Sequence, residues 1–259
     1  MNTTPHWDDA AKPWGDFVRT GKDYYRDHLN NPAMFALLGD IQGKKILDLA
    51  CGEGYNCRIM AKKGASVYGI DFSEKMIDLA IQEEEKGRLG IMYSVLDAGN
   101  LHLLEKDTFD IVTCFMALQD IENYKDAIKE VYRVLKKNGH FIFVMPHPCF
   151  EKRVVHGEII GGWEFKGEPS MENALYYKVD KYFDTHRYTI SWNMERLRYP
   201  FLTTAFHRTL TDYADALFEV GFLISRLKEP TPPESVRKGD HIEDALRIPQ
   251  SIIIEAVKL

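Results

Sequence analysis

The chain is short of the features that would mark many common classes. Its 259 residues hold only four cysteines, Cys51, Cys57, Cys114 and Cys149, with no C-x-x-C pair among them. That argues against a zinc site and against a disulfide framework, and leaves buried reduced thiols. Basic residues are outnumbered, 33 Lys+Arg against 39 Asp+Glu, for a formal charge of -6 and a pI near 5.9. No basic stripe for nucleic acid is evident. No apolar run approaches the roughly 20 residues that span a bilayer, and the first residues, Met1–Asp9, are polar around Trp7, unlike a secretory signal. The expectation is a cytoplasmic globular protein with no membrane partner, since 45% hydrophobic and 28% charged residues are ordinary proportions. The length suits one large domain, or a core with an insertion.

What is present is an alternation of apolar runs and helical patterns. Runs at 45–50, 66–71, 91–96, 109–115 and 140–146 read as strands, with helices at about 54–63, 73–86 and 123–136 between them. Such alternation predicts a mainly parallel sheet with right-handed crossovers. Ser73 is a suitable N-cap for a helix that turns Met76, Ile77 and Ala80 to one side. Asn138-Gly139 is a suitable stop for the third helix. Residues 147–208 break the rhythm and are rich in aromatics, and 177–194 alternates as an antiparallel strand pair would. The pattern then resumes with a helix at 209–220 stopped by Gly221, and with strands at 222–227 and 251–258.

The most informative stretch is Ile46-Leu47-Asp48-Leu49-Ala50-Cys51-Gly52-Glu53-Gly54, followed by Val67-Tyr68-Gly69-Ile70-Asp71. It reads as strand, glycine turn, helix and a second strand tipped by a carboxylate, the opening half of a nucleotide-binding βαβ unit. A dinucleotide fingerprint needs a third small residue, and Cys57 stands there instead. Asp48 and Glu53 also put negative charge where a pyrophosphate would lie, which disfavours a nicotinamide oxidoreductase. A cationic ligand without phosphate reverses that sign.

These residues resemble the class I S-adenosylmethionine-dependent methyltransferases, strongly over 44–146 and more loosely over 209–259. The resemblance implies a Rossmann-like, seven-stranded, mostly parallel sheet whose last strand is antiparallel, with the aromatic-rich insertion after the fifth strand. It implies four parts: an N-terminal helical lid over 1–43, an S-adenosylmethionine-binding core over 44–146, a substrate-cap insertion over 147–208, and the end of the core sheet over 209–259. On the same grounds Asp48, Ala50, Cys51, Gly52 and Gly54 face the methionine part of the cofactor. Asp71 holds the ribose, Phe72 and Met76 lie against the adenine, and Asp97 and Ala98 meet its amino edge. Cys114, with the residues up to Leu118, lines the floor. Met76 is equally suited to core packing, and a strand-end aspartate is often only a turn former. Arg19 and Arg26 are placed to meet a carboxylate.

The implied activity is methyl transfer to a small-molecule acceptor whose O, N, S or C atom the sequence leaves open. His147 and His207 bracket the insertion and are the candidate general bases, with Glu151 and Tyr199 behind them. The opposing reading is that both histidines pack or cap. Pro146-His147-Pro148 is not the N-P-P-Y type tetrapeptide of amino-methylating nucleic-acid enzymes, whose place Cys114-Phe115-Met116-Ala117 occupies. A modified tRNA base as acceptor, and a non-catalytic S-adenosylmethionine-binding partner protein, are the alternatives. Nucleic acid is disfavoured by the charge. The insertion's aromatics could form a substrate pocket, a mini-core or a homodimer contact.

Overall fold

In the computed structural model, residues 4–21, 23–192, 200–234 and 242–259 are described. The chain opens with helix α1 (Thr4–Val18), a π-helical turn (Tyr25–Asn30) and α2 (Asn31–Leu38). The alternating core follows: β1 (Lys45–Leu49), α3 (Tyr55–Lys62), β2 (Ser66–Asp71), α4 (Glu74–Gly87), β3 (Met92–Val95), β4 (Phe109–Phe115), α5 (Tyr124–Val134) and β5 (Leu135–Pro146). The excursion over 147–208 contains β6 (Arg153–Val155), β7 (Glu158–Ile160), β8 (Gly162–Phe165), β9 (Ala174–Lys178), β10 (His186–Trp192) and β11 (Phe201–His207). The chain returns through α6 (Leu210–Glu219), β12 (Phe222–Lys228) and β13 (Ser251–Lys258).

Seven strands form one sheet in the order β12-β13-β5-β4-β1-β2-β3. All neighbours from β3 to β5 pair in parallel, and β13 runs antiparallel to β5 and β12. The two-residue period of a strand divides the core between the faces. Leu47, Leu49, Val112, Phe141 and Phe143 pack with Ala127, Ile128 and Val131 of α5 and Leu217 of α6. Ile46, Val67, Ile111 and Ile142 pack the other way, against Met34 and Leu38 of α2 and Met60 of α3. Strand order reverses beside β1, so the crevice for a ligand opens at the carboxyl ends of β1 and β4.

Local rules account for most boundaries. Ser73 caps α4 by accepting from the Met76 N–H. Thr209 and Asp212 form a reciprocal capping box on α6, and Gly221, at φ +99°, ends it. Two expectations are corrected. The helix before β5 stops at Val134, where Leu135 is already extended and pairs with Phe109. Asn138 does take a left-handed φ of +61°, but it bends the incoming strand and does not cap the helix. The antiparallel pair also does not lie within 177–194. β10 pairs with β11, and β9 pairs back with β8, because ribbon partners are chosen by burial across the excursion and not by the nearest alternating segment.

Candidate active site

A cavity of about 850 Å³ lies over the carboxyl ends of the parallel strands. Each strand delivers a different part of its wall: 50–53 after β1, Asp71 and Phe72 after β2, Val95–Ala98 after β3, and Phe115–Ala117 after β4. Ala50 and Met116 are both non-glycine residues with positive φ, +54° and +52°. Such backbone is sparsely populated outside glycine and concentrates at functional sites. Roofing the cavity are Trp7, Trp14, Phe17 and Val18 of α1, with Ile190, Trp192 and Thr203 from the β10–β11 ribbon. The roof is fixed by His6 Nδ1 at 2.9 Å from Thr204 Oγ1, and by Ser73 Oγ donating to Asp8 at 2.6 Å.

Asp48 is 2% exposed, yet both its oxygens are used. Thr113 Oγ1 donates to one at 2.7 Å and the Cys57 thiol to the other at 3.1 Å. Cys57, which stands where a dinucleotide fold needs a small residue, is therefore a donor that holds this acid. Asp71 accepts the N–H of Gly52 at 2.9 Å and that of Ser73 at 2.9 Å, so it ties the glycine turn to the end of β2. Each Asp71 oxygen keeps a second lone pair for a ligand. Burial raises both acids, Asp48 and Asp71, to about 6. Asp97 is exposed and closes a turn on the Gly99 N–H at 2.8 Å while still lining the cavity. Ala98, Phe72 and the fully buried Met76 line it as well.

Three expected members are absent from the wall, among them Leu118, which is buried in the core. Cys114 points into the core beside Val112 and Phe143, because alternation along β4 turns it away from the side that Phe115 presents. Gly54 carries φ +77° at the start of α3, where a Cβ would lie 2.8 Å from Tyr93 Cζ and closer still to its hydroxyl. Its missing side chain serves helix-to-strand packing and not ligand approach. The charge argument needs revision too. Glu53 is 2% exposed and does not present a free charge to the crevice. Arg58 holds both its oxygens at 2.8 and 2.9 Å, and Arg19 reaches it at 3.1 Å.

The methyltransferase-domain family profile matches residues 47–143, the span from β1 to β5. A solved structure from Listeria monocytogenes, assigned as an S-adenosylmethionine-dependent methyltransferase, is 30% identical. It superposes with a TM-score of 0.69 over 88% of this chain and 97% of that one. This chain belongs to the S-adenosylmethionine-dependent methyltransferase family. A Mesorhizobium loti member agrees, at 27% identity and TM-score 0.69 over 87% of this chain and 96% of that one. The ubiquinone biosynthesis O-methyltransferase of Coxiella burnetii is 35% identical over 121 residues, 45% of this chain and 50% of that one. The chain thus spans about half the length of that relative.

The methyltransferase does not bring its two bracketing histidines into the cavity. His147 Nδ1 accepts the Cys149 N–H at 3.2 Å, so its hydrogen sits on Nε2, 3.1 Å from Glu229. Its basic lone pair is occupied in capping a turn, and burial pushes its pKa down. His207 is 1% exposed, with Nε2 donating to the Tyr182 carbonyl at 2.9 Å and Nδ1 at 2.6 Å from Glu151. That also commits Glu151, whose carboxyl burial raises. No nitrogen of either ring is left to accept a substrate proton. Tyr199 lies outside the described residues. His147→Ala should retain most turnover. His207→Ala should destabilise the fold by roughly 1–3 kcal/mol, the cost of stranding a buried partner, as urea midpoints would show. A His147→Ala protein that folds but loses turnover a hundredfold would restore the histidine as base.

Four groups that do line the cavity carry buried atoms without partners among the described residues, Gln250 through its Nε2. Arg26 uses Nε and Nη2 on Asp27 and the Val18 carbonyl, and its guanidinium lies 3.9 Å over the Tyr55 ring, but Nη1 is buried and unpaired. Gln119 Oε1 and Asp120 Oδ1 are likewise buried and unpaired. The position of Asp120 just past β4 was the available sequence signal.

The raised carboxylates set a pH dependence. A folded-state pKa of about 6 exceeds the unfolded carboxylate value near 3.9, so these acids favour the fold below that range. The contribution is lost as pH rises through about 6. Melting of the unliganded enzyme near pH 5 and near pH 7 should show the larger stability at the lower pH. Asp48→Asn should shrink the difference; an unchanged difference would remove Asp48 from this account.

Proposed function

We propose that the enzyme transfers the methyl group of S-adenosylmethionine to a small molecule held inside this cavity. The observation that carries the reading is the enclosure: sheet edge, α1 and insertion ribbon wall a single space whose roof includes three tryptophans. Pockets of this size and lining suit small ligands. Among the described wall residues, six carboxylic side chains besides the arginine-paired Glu53 (Asp23, Asp48, Asp71, Asp97, Asp120, Glu122) stand against one basic side chain, Arg26. A tRNA phosphate backbone would meet charge of its own sign there, which favours the small-molecule reading over a nucleic-acid one.

The residues present fit the cofactor. The unpaired Arg26 Nη1 supplies the donor that its amino-acid carboxylate needs, and the spare lone pairs of Asp71 suit two ribose hydroxyls. Phe72 and Met76 give the adenine an apolar wall, with Asp97 and Ala98 at its polar edge. The Ala50–Gly52 backbone borders the methionine part. The bound cofactor supplies an electrophilic methyl group on a sulfonium, with a good leaving group already in place. What remains for the protein is to align an acceptor in line and to exclude water, which α1 and the ribbon are placed to do as lid and cap.

Methyl transfer from labelled donor to a mixed panel of amines, phenols, thiols and carboxylates, run beside bulk tRNA, tests this. Label entering only the tRNA would overturn the small-molecule reading. Calorimetry should show S-adenosylhomocysteine binding and no heat from NAD at equal concentration, and tight NAD binding would sink the cofactor assignment.

A further inference from the structure

Two oxygens in the loop after β4 are buried with no hydrogen-bond donor among the described residues. Gln119 is 6% exposed. Its Nε2 donates to the Met116 carbonyl at 2.7 Å, which fixes the amide's orientation and leaves Oε1 as the free end. Next to it, Asp120 Oδ1 has no hydrogen-bond partner among the described residues. Both residues line the cavity. Buried polar atoms without partners are rare in native structures and call for an explanation. Here a ligand that brings hydrogens to two adjacent oxygens supplies one.

The nearest cation is not available for this. Arg208 reaches the same loop, but it donates to the carbonyls of Ile121 at 2.7 Å and Glu122 at 3.0 Å. Its role is to hold the loop's shape. The Gln119 side chain also acts on Asp120 as a hydrogen-bonding neighbour, the further groups it feels, Glu151 and Asp71, are acidic, and Tyr188 faces it from β10. Part of the remaining wall is aromatic. Trp14 meets Trp7 edge-on at 6.1 Å and Trp192 at 5.4 Å, and all three line the cavity. Indole faces attract cations better than other rings do.

Resting on the small-molecule reading, we propose that the methyl acceptor is an amine, held as its ammonium form by Asp120 and Gln119 against the tryptophan wall. Asp120 is then the group that takes its proton. The balance closes. The ammonium gives one proton to the Asp120 carboxylate and exposes a lone pair on nitrogen. That lone pair forms the N–C bond as the S–C bond breaks, so the sulfonium charge ends on the methylated nitrogen. The protonated Asp120 returns its proton to solvent when the product leaves. Burial holds the Asp120 carboxyl well above the usual range, which strengthens it as a proton acceptor once a cation has brought it to the ionised form.

The test uses three probes of one shape and different charge: phenethylamine, phenethyl alcohol and hydrocinnamate. Each is titrated into the enzyme loaded with S-adenosylhomocysteine, with tryptophan fluorescence as the readout, since three of the four tryptophans line the cavity. The amine should bind about tenfold tighter than the alcohol, the anion weakest of all, and Asp120→Asn should erase the amine's advantage. S-adenosylhomocysteine affinity by calorimetry should be unchanged in Asp120→Asn, and only the amine should release S-adenosylhomocysteine from the loaded donor in turnover. Equal binding of the three probes, preference for the anion, or no saturable amine binding would overturn the proposal. So would a loss of S-adenosylhomocysteine affinity in Asp120→Asn, which would assign the carboxylate to the cofactor's own ammonium. Calorimetry on the unaltered protein separates the two readings. No binding of S-adenosylhomocysteine there would sink the donor assignment, while the probe comparison in the unloaded protein would still decide the amine.

Discussion

Arg26→Ala should weaken S-adenosylhomocysteine binding by roughly ten- to hundredfold, the scale of a hydrogen bond to a charged group, about 1.5–3 kcal/mol. The expectation rests on a buried, charged donor in the cavity wall that no described residue satisfies. Adenosine provides the internal control, because it shares the ribose and adenine but has no carboxylate. Its affinity should hardly change, so the preference for S-adenosylhomocysteine over adenosine should collapse in the variant. Arg26 also pairs with Asp27 at 2.8 Å, so some stability will be lost as well. The ratio of the two ligands is insensitive to that loss. An unchanged ratio in a folded variant would remove Arg26 from the cofactor site.

Gly54→Ala should be the most damaging small substitution in the core motif. A methyl group there meets the Tyr93 ring, and the residue's φ of +77° is costly for any side chain. Left-handed backbone costs roughly 1–2 kcal/mol and overpacking another 1–3, so a loss of about 2–5 kcal/mol is expected. For a chain of this length that lowers the melting temperature by roughly 4–20 °C. Tyr93 carries its own signal, since its hydroxyl is buried without a partner among the described residues. Tyr93→Phe alone should be neutral or stabilising, and it should return part of the stability lost in Gly54→Ala. Additive behaviour of the pair in urea titrations would contradict the contact.

The alternating core was legible because each of its signals is local. A buried strand shows its apolar run, Ser73 shows its cap, and the carboxyl ends of β1 and β2 bring Asp48 and Asp71 to one edge by topology alone. Glu53 shows where local reading fails, because its charge is cancelled by Arg58 nearby and by Arg19, which the fold brings in from the end of α1. The histidines fail for the same reason. His147 and His207 stand where bases could stand, but their partners Glu229, Glu151 and Tyr182 lie 82, 56 and 25 residues away and become neighbours only in the fold. Alternation along β4 did contain the answer for Cys114, since Phe115 and Cys114 cannot face the same side. Strand pairing in the excursion was the least legible part, where three short ribbons offer several registers of similar local quality.

Helix α1 touches both ends of the cavity. Trp7 and Trp14 stand over the aromatic end, and Arg19, just beyond its last turn, grips Glu53 in the turn after β1. If α1 is the lid proposed above, donor and acceptor share one door, and lifting it to release either product loosens the grip on the other, which couples the two departures kinetically. Turnover under saturating substrates should then slow with solvent viscosity, and the methyl step itself should be hidden behind the movement of α1.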